Sequence, residues 1–215
     1  MIKTILFDFD GTLVDSAPGI VKTMQQTFRR MGMAVPDEDA MRATIGLPLG
    51  KALQMLAGLS DDDTRTATKT YRDIFHTYEL NYINNFPHVI STLNKIKASG
   101  IRMAIVTSRE STSLNLITDR RGMSSFFETS ITGADGYKPK PAPDMVLALM
   151  KRMNIKNHET LVVGDTTFDI EMGNAAGCRT VAVTYGYHSK ERLASAKPTF
   201  TIDSFEELIE IIENK

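Results

Sequence analysis

The chain has 215 residues, 42% of them hydrophobic and 24% charged, a balance that fits an ordinary globular protein of one large domain or a core with a small insert. A net charge of −1 leaves no global basic excess for a nucleic-acid footprint, and the single cysteine, Cys178, excludes an intrachain disulfide framework. The apolar stretch behind Lys3 stops at Asp8 and no apolar run approaches the roughly 20 residues of a membrane span, so a chain of the reducing cytoplasm, with no membrane partner, is expected.

In chain order, Thr4-Ile5-Leu6-Phe7 is a short continuous apolar run ending in Asp8, Asp10 and Gly11, the pattern of a strand buried on both faces. The period then changes. Ile20, Met24, Phe28 and Met31 recur at helical spacing, with Ser16 available as an N-cap and Gly32 as a stop. Helical character continues to about Tyr82, with Asp61-Asp62-Asp63 suited to the positive start of a helix. No strand is expected between Ser16 and Tyr82. Val89, Leu93 and Ile96 mark another helix, which ends at Gly100. Met103 to Thr107 reads as a buried strand, Ile131 sits in a shorter one, and Met145 to Met153 is helical. Leu161-Val162-Val163 and Thr180 to Val183 are further strands, and Ser204 with Glu207 forms a capping box before Leu208, Ile209 and Ile212. Strands alternating with helices predict an α/β fold: a Rossmann-like, mostly parallel sheet flanked by helices, with an all-helical segment after the first strand.

Ligands of such sheets bind beyond the carboxyl ends of the strands. Here those ends carry Asp8 and Asp10, Thr107 and Ser108, and Asp165 with Asp169 one helical turn later, while Lys138 and Lys140 lie in a loop after the third strand. A strand-end aspartate taken alone caps a turn as readily as it binds a metal. Several carboxylates meeting at one point repel, however, and are costly to bury unpaired. A divalent cation resolves that cost. The oxygen-only donor set, without a His or Cys cluster, predicts Mg²⁺ and a phosphorylated ligand.

Asp8-Phe9-Asp10-Gly11-Thr12-Leu13-Val14-Asp15-Ser16, Val106-Thr107-Ser108, Lys140-Pro141-Ala142-Pro143-Asp144 and Gly164-Asp165-Thr166-Thr167-Phe168-Asp169 resemble, in order, the four motifs of the haloacid dehalogenase superfamily, over essentially the whole chain. The nearest likeness is to its phosphoglycolate phosphatase-like branch with a helical cap. The resemblance implies that Asp8 is the nucleophile of an aspartyl-phosphate mechanism and Asp10 the general acid, then base. It implies that Thr107, Lys140 and main-chain N–H groups near Phe9, Asp10 and Ser108 hold the phosphoryl oxygens. Asp8, Asp10 (through its carbonyl) and Asp165 would bind Mg²⁺, with Asp169 in support. Lys140 is favoured over Lys138 because the family's register runs from it into the next helix. His88 stands where the family usually has glycine.

By the same resemblance, residues 17–82 form the cap, and residues 1–16 with 83–215 form the phosphatase core. Thr44 to Lys51 resembles the cap loop that faces the core, with Arg42 and Lys51 as candidates for a second anionic group on the substrate. Thr184-Tyr185-Gly186-Tyr187 resembles phosphoglycolate phosphatases, so a small phosphorylated metabolite such as 2-phosphoglycolate is the expected partner. Inorganic pyrophosphate, a nucleoside monophosphate, a β-phosphoglucomutase-type reaction and a degenerate, non-enzymatic binding protein remain alternatives. The sequence leaves the oligomeric state open.

Overall fold

The structure, a computed structural model, describes residues 1–78 and 81–213. Its centre is the expected apolar run. Strand β1, Thr4–Phe7, is buried along its whole length because it pairs on both sides. The chain then turns through β2 (Val14–Asp15) into four helices: α1 (Ala17–Arg30), α2 (Glu38–Ala43), α3 (Leu49–Ala57) and α4 (Asp61–Tyr78). It returns through β3 (Asn84–Asn85), which pairs antiparallel with β2. Departure and return of the helical insert thus lie side by side.

The remainder alternates: α5 (Val89–Ala98), β4 (Arg102–Val106), α6 (Ser111–Arg120), β5 (Thr129–Ile131), α7 (Asp144–Met153), β6 (Thr160–Gly164), α8 (Thr167–Ala175), β7 (Arg179–Val183), α9 (Lys190–Ser195), β8 (Phe200–Ile202) and α10 (Leu208–Glu213). Six strands form one parallel sheet in the order β5-β4-β1-β6-β7-β8. The twofold period of the strands divides the core. Leu6, Ala104 and Val162 face a cluster with Val146, Leu149 and Met172 of α7 and α8. Ile5, Phe7, Ile105 and Val163 belong to the opposite cluster, with Leu93 of α5, Ile117 of α6 and Leu208 of α10.

Within the insert, α1 buries Ile20, Met24 and Phe28 at four-residue spacing, and α4 buries Ala67, Tyr71, Ile74 and Phe75; the two helices pack together. Burying a side chain such as Phe28 stabilises by about 1.5–3 kcal/mol. Asp61-Asp62-Asp63 does open α4, and the Ser60 hydroxyl accepts from the Asp63 N–H at 3.1 Å. Helix α4 ends at Tyr78, Glu79 and Leu80 lie outside the described residues, and Asn81 and Tyr82 form a turn rather than more helix. Among the described residues, no helix is long and apolar enough to cross a membrane.

His88 precedes α5 with φ 63°, in the left-handed region. A side chain there strains the backbone by roughly 1–2 kcal/mol, a cost glycine escapes. Its contact with Glu206, at 3.5 Å between two half-exposed side chains, gives little back. His88→Gly is therefore expected to stabilise the fold by about 1 kcal/mol, raising Tm by about 2–4 °C. A lower Tm in a thermal melt would show that the histidine supports the turn.

Candidate active site

Sheet order decides which side chains meet. Because β1 lies between β4 and β6, the residue after its last position, Asp8, sits between Thr107 after β4 and Asp165 after β6. Chain direction also departs to opposite sides of β1 here, which opens the crevice where parallel sheets bind ligands. Asp8, Thr107, Lys140, Asp165 and Asp169 are all buried.

Lys140 Nζ donates to Asp8 Oδ1 at 2.6 Å and to Asp169 Oδ1 at 2.5 Å. Lys138 is exposed. Of the two candidate lysines, only Lys140 therefore reaches the carboxylates, the register the family resemblance favours. Asp169 is held from its other side: Oδ2 accepts from the Thr166 N–H at 3.0 Å and hydroxyl at 2.6 Å, closing a capping box at the start of α8. One residue thus caps a helix and anchors the lysine. Asp165 Oδ1 accepts from the Thr12 hydroxyl at 3.0 Å, and Oδ2 from the Tyr187 N–H at 2.8 Å.

One carboxylate oxygen each from Asp8, Asp165 and Asp169 lies within 4.8 Å of the others. Burial and the Asp169 charge push the Asp8 carboxyl up to about 7, against the opposing pull of Lys140. Burial, then Asp169 and Asp8, likewise raise Asp165 well above the carboxylate range. Burial works against the Lys140 charge, but Asp169 and Asp8 outweigh it and hold its ammonium above the usual lysine value. A compact, oxygen-only set with more negative charge than one lysine neutralises fits a hard divalent cation.

That crowding has a thermodynamic sign. A carboxyl raised in the folded state costs stability as pH climbs from its unfolded value near 4 through about 7. A divalent cation bound only by the folded state reverses the loss. At hundredfold excess over Kd the gain is about 2.7 kcal/mol, or roughly 5–10 °C in Tm. Thermal melts are expected to show this rise with Mg²⁺ at pH 8 and a much smaller one at pH 5, where protons compete. Equal shifts at both pH values, or none, would remove the metal from this cluster.

Asp10 stands apart from the trio. Arg109 donates to its Oδ2 from Nε at 2.8 Å and to Oδ1 from Nη2 at 2.5 Å, while the Ser16 hydroxyl donates to Oδ1 at 2.5 Å. Ser16 occupies the N-cap position of α1 but makes no capping bond with its side chain, because Asp10 takes its hydroxyl. Arg109 also lies near the rings of Phe9 and Phe75, 5.9 and 5.7 Å from their centroids. Its neighbours reach the insert too: the Ser108 hydroxyl donates to the Gly46 carbonyl at 2.9 Å, and Glu110 pairs with Arg72. Three consecutive residues after Thr107 therefore clasp two parts of the helical insert, the loop at Gly46 and helix α4.

Sequence reasoning missed Arg109, although a cation directly after Val106-Thr107-Ser108 was a usable signal. Thr184 to Tyr187 also gains a physical meaning. Tyr185 Oη donates to the Thr12 carbonyl at 2.9 Å, and Tyr187 Oη lies 3.1 Å from the Ser16 hydroxyl. A Cβ on Gly186 would fall 2.2 Å from Asp165 Cβ, and one on Gly11 2.2 Å from Asp165 Oδ2. These residues brace Asp165 and the turn after β1. The cationic candidates of the insert stay outside: Arg42 pairs with Glu38 on its own helix and Lys51 is exposed.

Residues 5–183 match the family of haloacid dehalogenase-like hydrolases. Full-length relatives agree. The chain is 36% identical over 214 residues to "Probable phosphatase IndB" of Dickeya dadantii, covering 97% of this chain and 93% of that one. It is 31% identical over 220 residues to a phosphoglycolate phosphatase of Vibrio parahaemolyticus, covering 98% and 96%. A crystal structure of a haloacid dehalogenase-like hydrolase from Bacteroides fragilis superposes with a TM-score of 0.92 at 27% identity, covering 97% of this chain and all of that one. The chain belongs to the haloacid dehalogenase-like hydrolases. Within that family it is a phosphatase.

Proposed function

We propose that the chain is a Mg²⁺-dependent phosphomonoesterase that works through an aspartyl-phosphate on Asp8. The observation that carries this reading is the position of Asp8 at the end of the central strand, with Lys140 on Oδ1 and the carboxylates of Asp165 and Asp169 beside it. Asp8 forms the new bond to phosphorus as the alcohol oxygen of the substrate leaves, and Asp10 gives that oxygen its proton. Water then attacks the same phosphorus, Asp10 takes the water proton, and the bond to Asp8 breaks to release phosphate. Lys140 and Thr107 stabilise charge on the transferring oxygens. Asp8, Asp165 and the Asp10 carbonyl would hold Mg²⁺, with Asp169 and Ser108 supporting. The ion supplies charge neutralisation at the phosphoryl group when bound.

Residues 17–82 act as the cap and residues 1–16 with 83–215 as the core. The Ser108, Arg109 and Glu110 contacts support a cap that closes over the site and limits water to the reactant. A small phosphorylated metabolite is the substrate class, and 2-phosphoglycolate is the reference compound because the Vibrio relative carries that name. The test is phosphate release from a panel of phosphomonoesters and pyrophosphate with Mg²⁺, ranked by kcat/KM and repeated with a chelator. Hydrolysis of monoesters that stops on chelation supports the reading. No release from any compound, or release unaffected by chelation, refutes it.

A further inference from the structure

Between the strand ends and the helical insert lies a cavity of about 680 Å³. Asp8, Asp10 and Thr107 line one end of it. Ile20 and Met24 of α1, Ile45 and Leu47 of the loop between α2 and α3, and Tyr71 and Phe75 of α4 line the other. That volume falls within the roughly 300–1,000 Å³ of pockets that enclose ligands much larger than a two-carbon acid. Its lining from the insert is mostly apolar, with Thr44, Arg72 and His76 as polar members, and includes two aromatic rings, which favour a flat apolar group packed against them.

Charge separates the candidate substrates further. Arg72 and Arg109 both line the cavity, but each already pairs with a carboxylate, Glu110 and Asp10. Arg42 and Lys51 are not among the lining residues. At the Asp10 end, where the Arg109–Asp10 pair is buried, a second anionic group on the substrate, as in 2-phosphoglycolate or pyrophosphate, would be desolvated at that pair's expense; the Arg72–Glu110 pair is solvent-exposed and is worth little either way. An uncharged group meets no such penalty and gains the apolar wall.

We infer that the substrate is a phosphomonoester whose alcohol carries an uncharged, ring-sized group with an apolar face, seated in this cavity beside Tyr71 and Phe75. This rests on the phosphomonoesterase reading above and adds the nature of the leaving alcohol. The ring system is aromatic or heteroaromatic, the kind of group that the two aromatic side chains favour.

A matched series of primary phosphate esters tests it without changing the type of leaving oxygen: ethyl phosphate, benzyl phosphate, para-carboxybenzyl phosphate and 2-phosphoglycolate, each with Mg²⁺. Benzyl phosphate is expected to exceed ethyl phosphate and 2-phosphoglycolate in kcat/KM by at least about tenfold, and the added carboxylate to remove most of that advantage. Equal rates for ethyl and benzyl phosphate, or 2-phosphoglycolate as the best substrate, would overturn the inference while leaving a working phosphatase. Failure of all four esters would also overturn the inference, and phosphate release from the wider panel above would show that the phosphomonoesterase reading does not fall with it. In Phe75→Leu, the benzyl-to-ethyl ratio is expected to fall severalfold. A ratio taken within one sample does not depend on how much of the protein is folded, so an unchanged ratio would take the ring away from that wall.

Discussion

Asp8→Asn is expected to lower kcat by about 10⁴-fold or more while leaving the fold intact. Removing a nucleophile commonly costs that much, because the remaining groups cannot form the covalent intermediate. The substitution keeps size and shape, so the wall formed with Thr107 and Lys140 does not collapse. Lys140 loses one anionic partner but keeps Asp169 at 2.5 Å. The buried cluster also loses a negative charge from a place where burial and Asp169 push the carboxyl up to about 7. Metal-free Asp8→Asn should therefore melt at or above the wild-type temperature at pH 8, where the wild-type carboxylates repel most. Steady-state kinetics beside a thermal melt separates the two effects. Activity within a few per cent of wild type would rule out Asp8 as nucleophile, and a collapsed fold would make its role structural.

Lys140→Ala should cost both activity and stability, whereas Lys138→Ala should cost neither. Removing one partner of a buried, hydrogen-bonded ion pair costs about 3–5 kcal/mol. Asp8 and Asp169 would be left facing each other with no cation between them. The penalty depends on pH. Lys140 holds the Asp8 carboxyl down, so without it Asp8 keeps its proton to higher pH, and the loss should be larger at pH 8 than at pH 6. At pH 8 a drop of roughly 10 °C in Tm is expected, together with a severe fall in kcat. Lys138 is exposed, and surface changes of that kind usually stay within about 0.5 kcal/mol. The reverse pattern, with Lys138→Ala inactive and Lys140→Ala active, would assign the phosphate-binding role to the other lysine.

Much of the site was legible because its chemistry sits at strand ends in short local patterns. The apolar run before Asp8 could be read as a doubly buried strand, and β1 has that position. Adjacency of β4, β1 and β6 could not be read, since neighbouring strands are distant in the chain and pair through backbone groups every residue carries. Elements too short for a periodic pattern were also silent, among them β2, β3 and β8. The Arg109–Asp10 pair spans 99 positions and depends on how the turn after β4 meets the turn after β1. Likewise, Thr184 to Tyr187 read as a hint of substrate, yet its contacts support Asp165 and the first turn. Arg42 and Lys51 read as candidate ligands because charge on a helix looks the same in sequence whether it faces the site or solvent. At His88, the departure from a family glycine carried no structural reading in the sequence, and the positive φ shows what glycine would relieve there.

The most direct test of the account is a rapid acid quench during turnover of a phosphate-labelled monoester with Mg²⁺, followed by peptide mapping. The label should appear on the peptide that contains Asp8, chase into free phosphate, and be absent from Asp8→Asn. Label on any other residue, or none while the burst of alcohol release outruns phosphate release, would contradict the covalent role of Asp8.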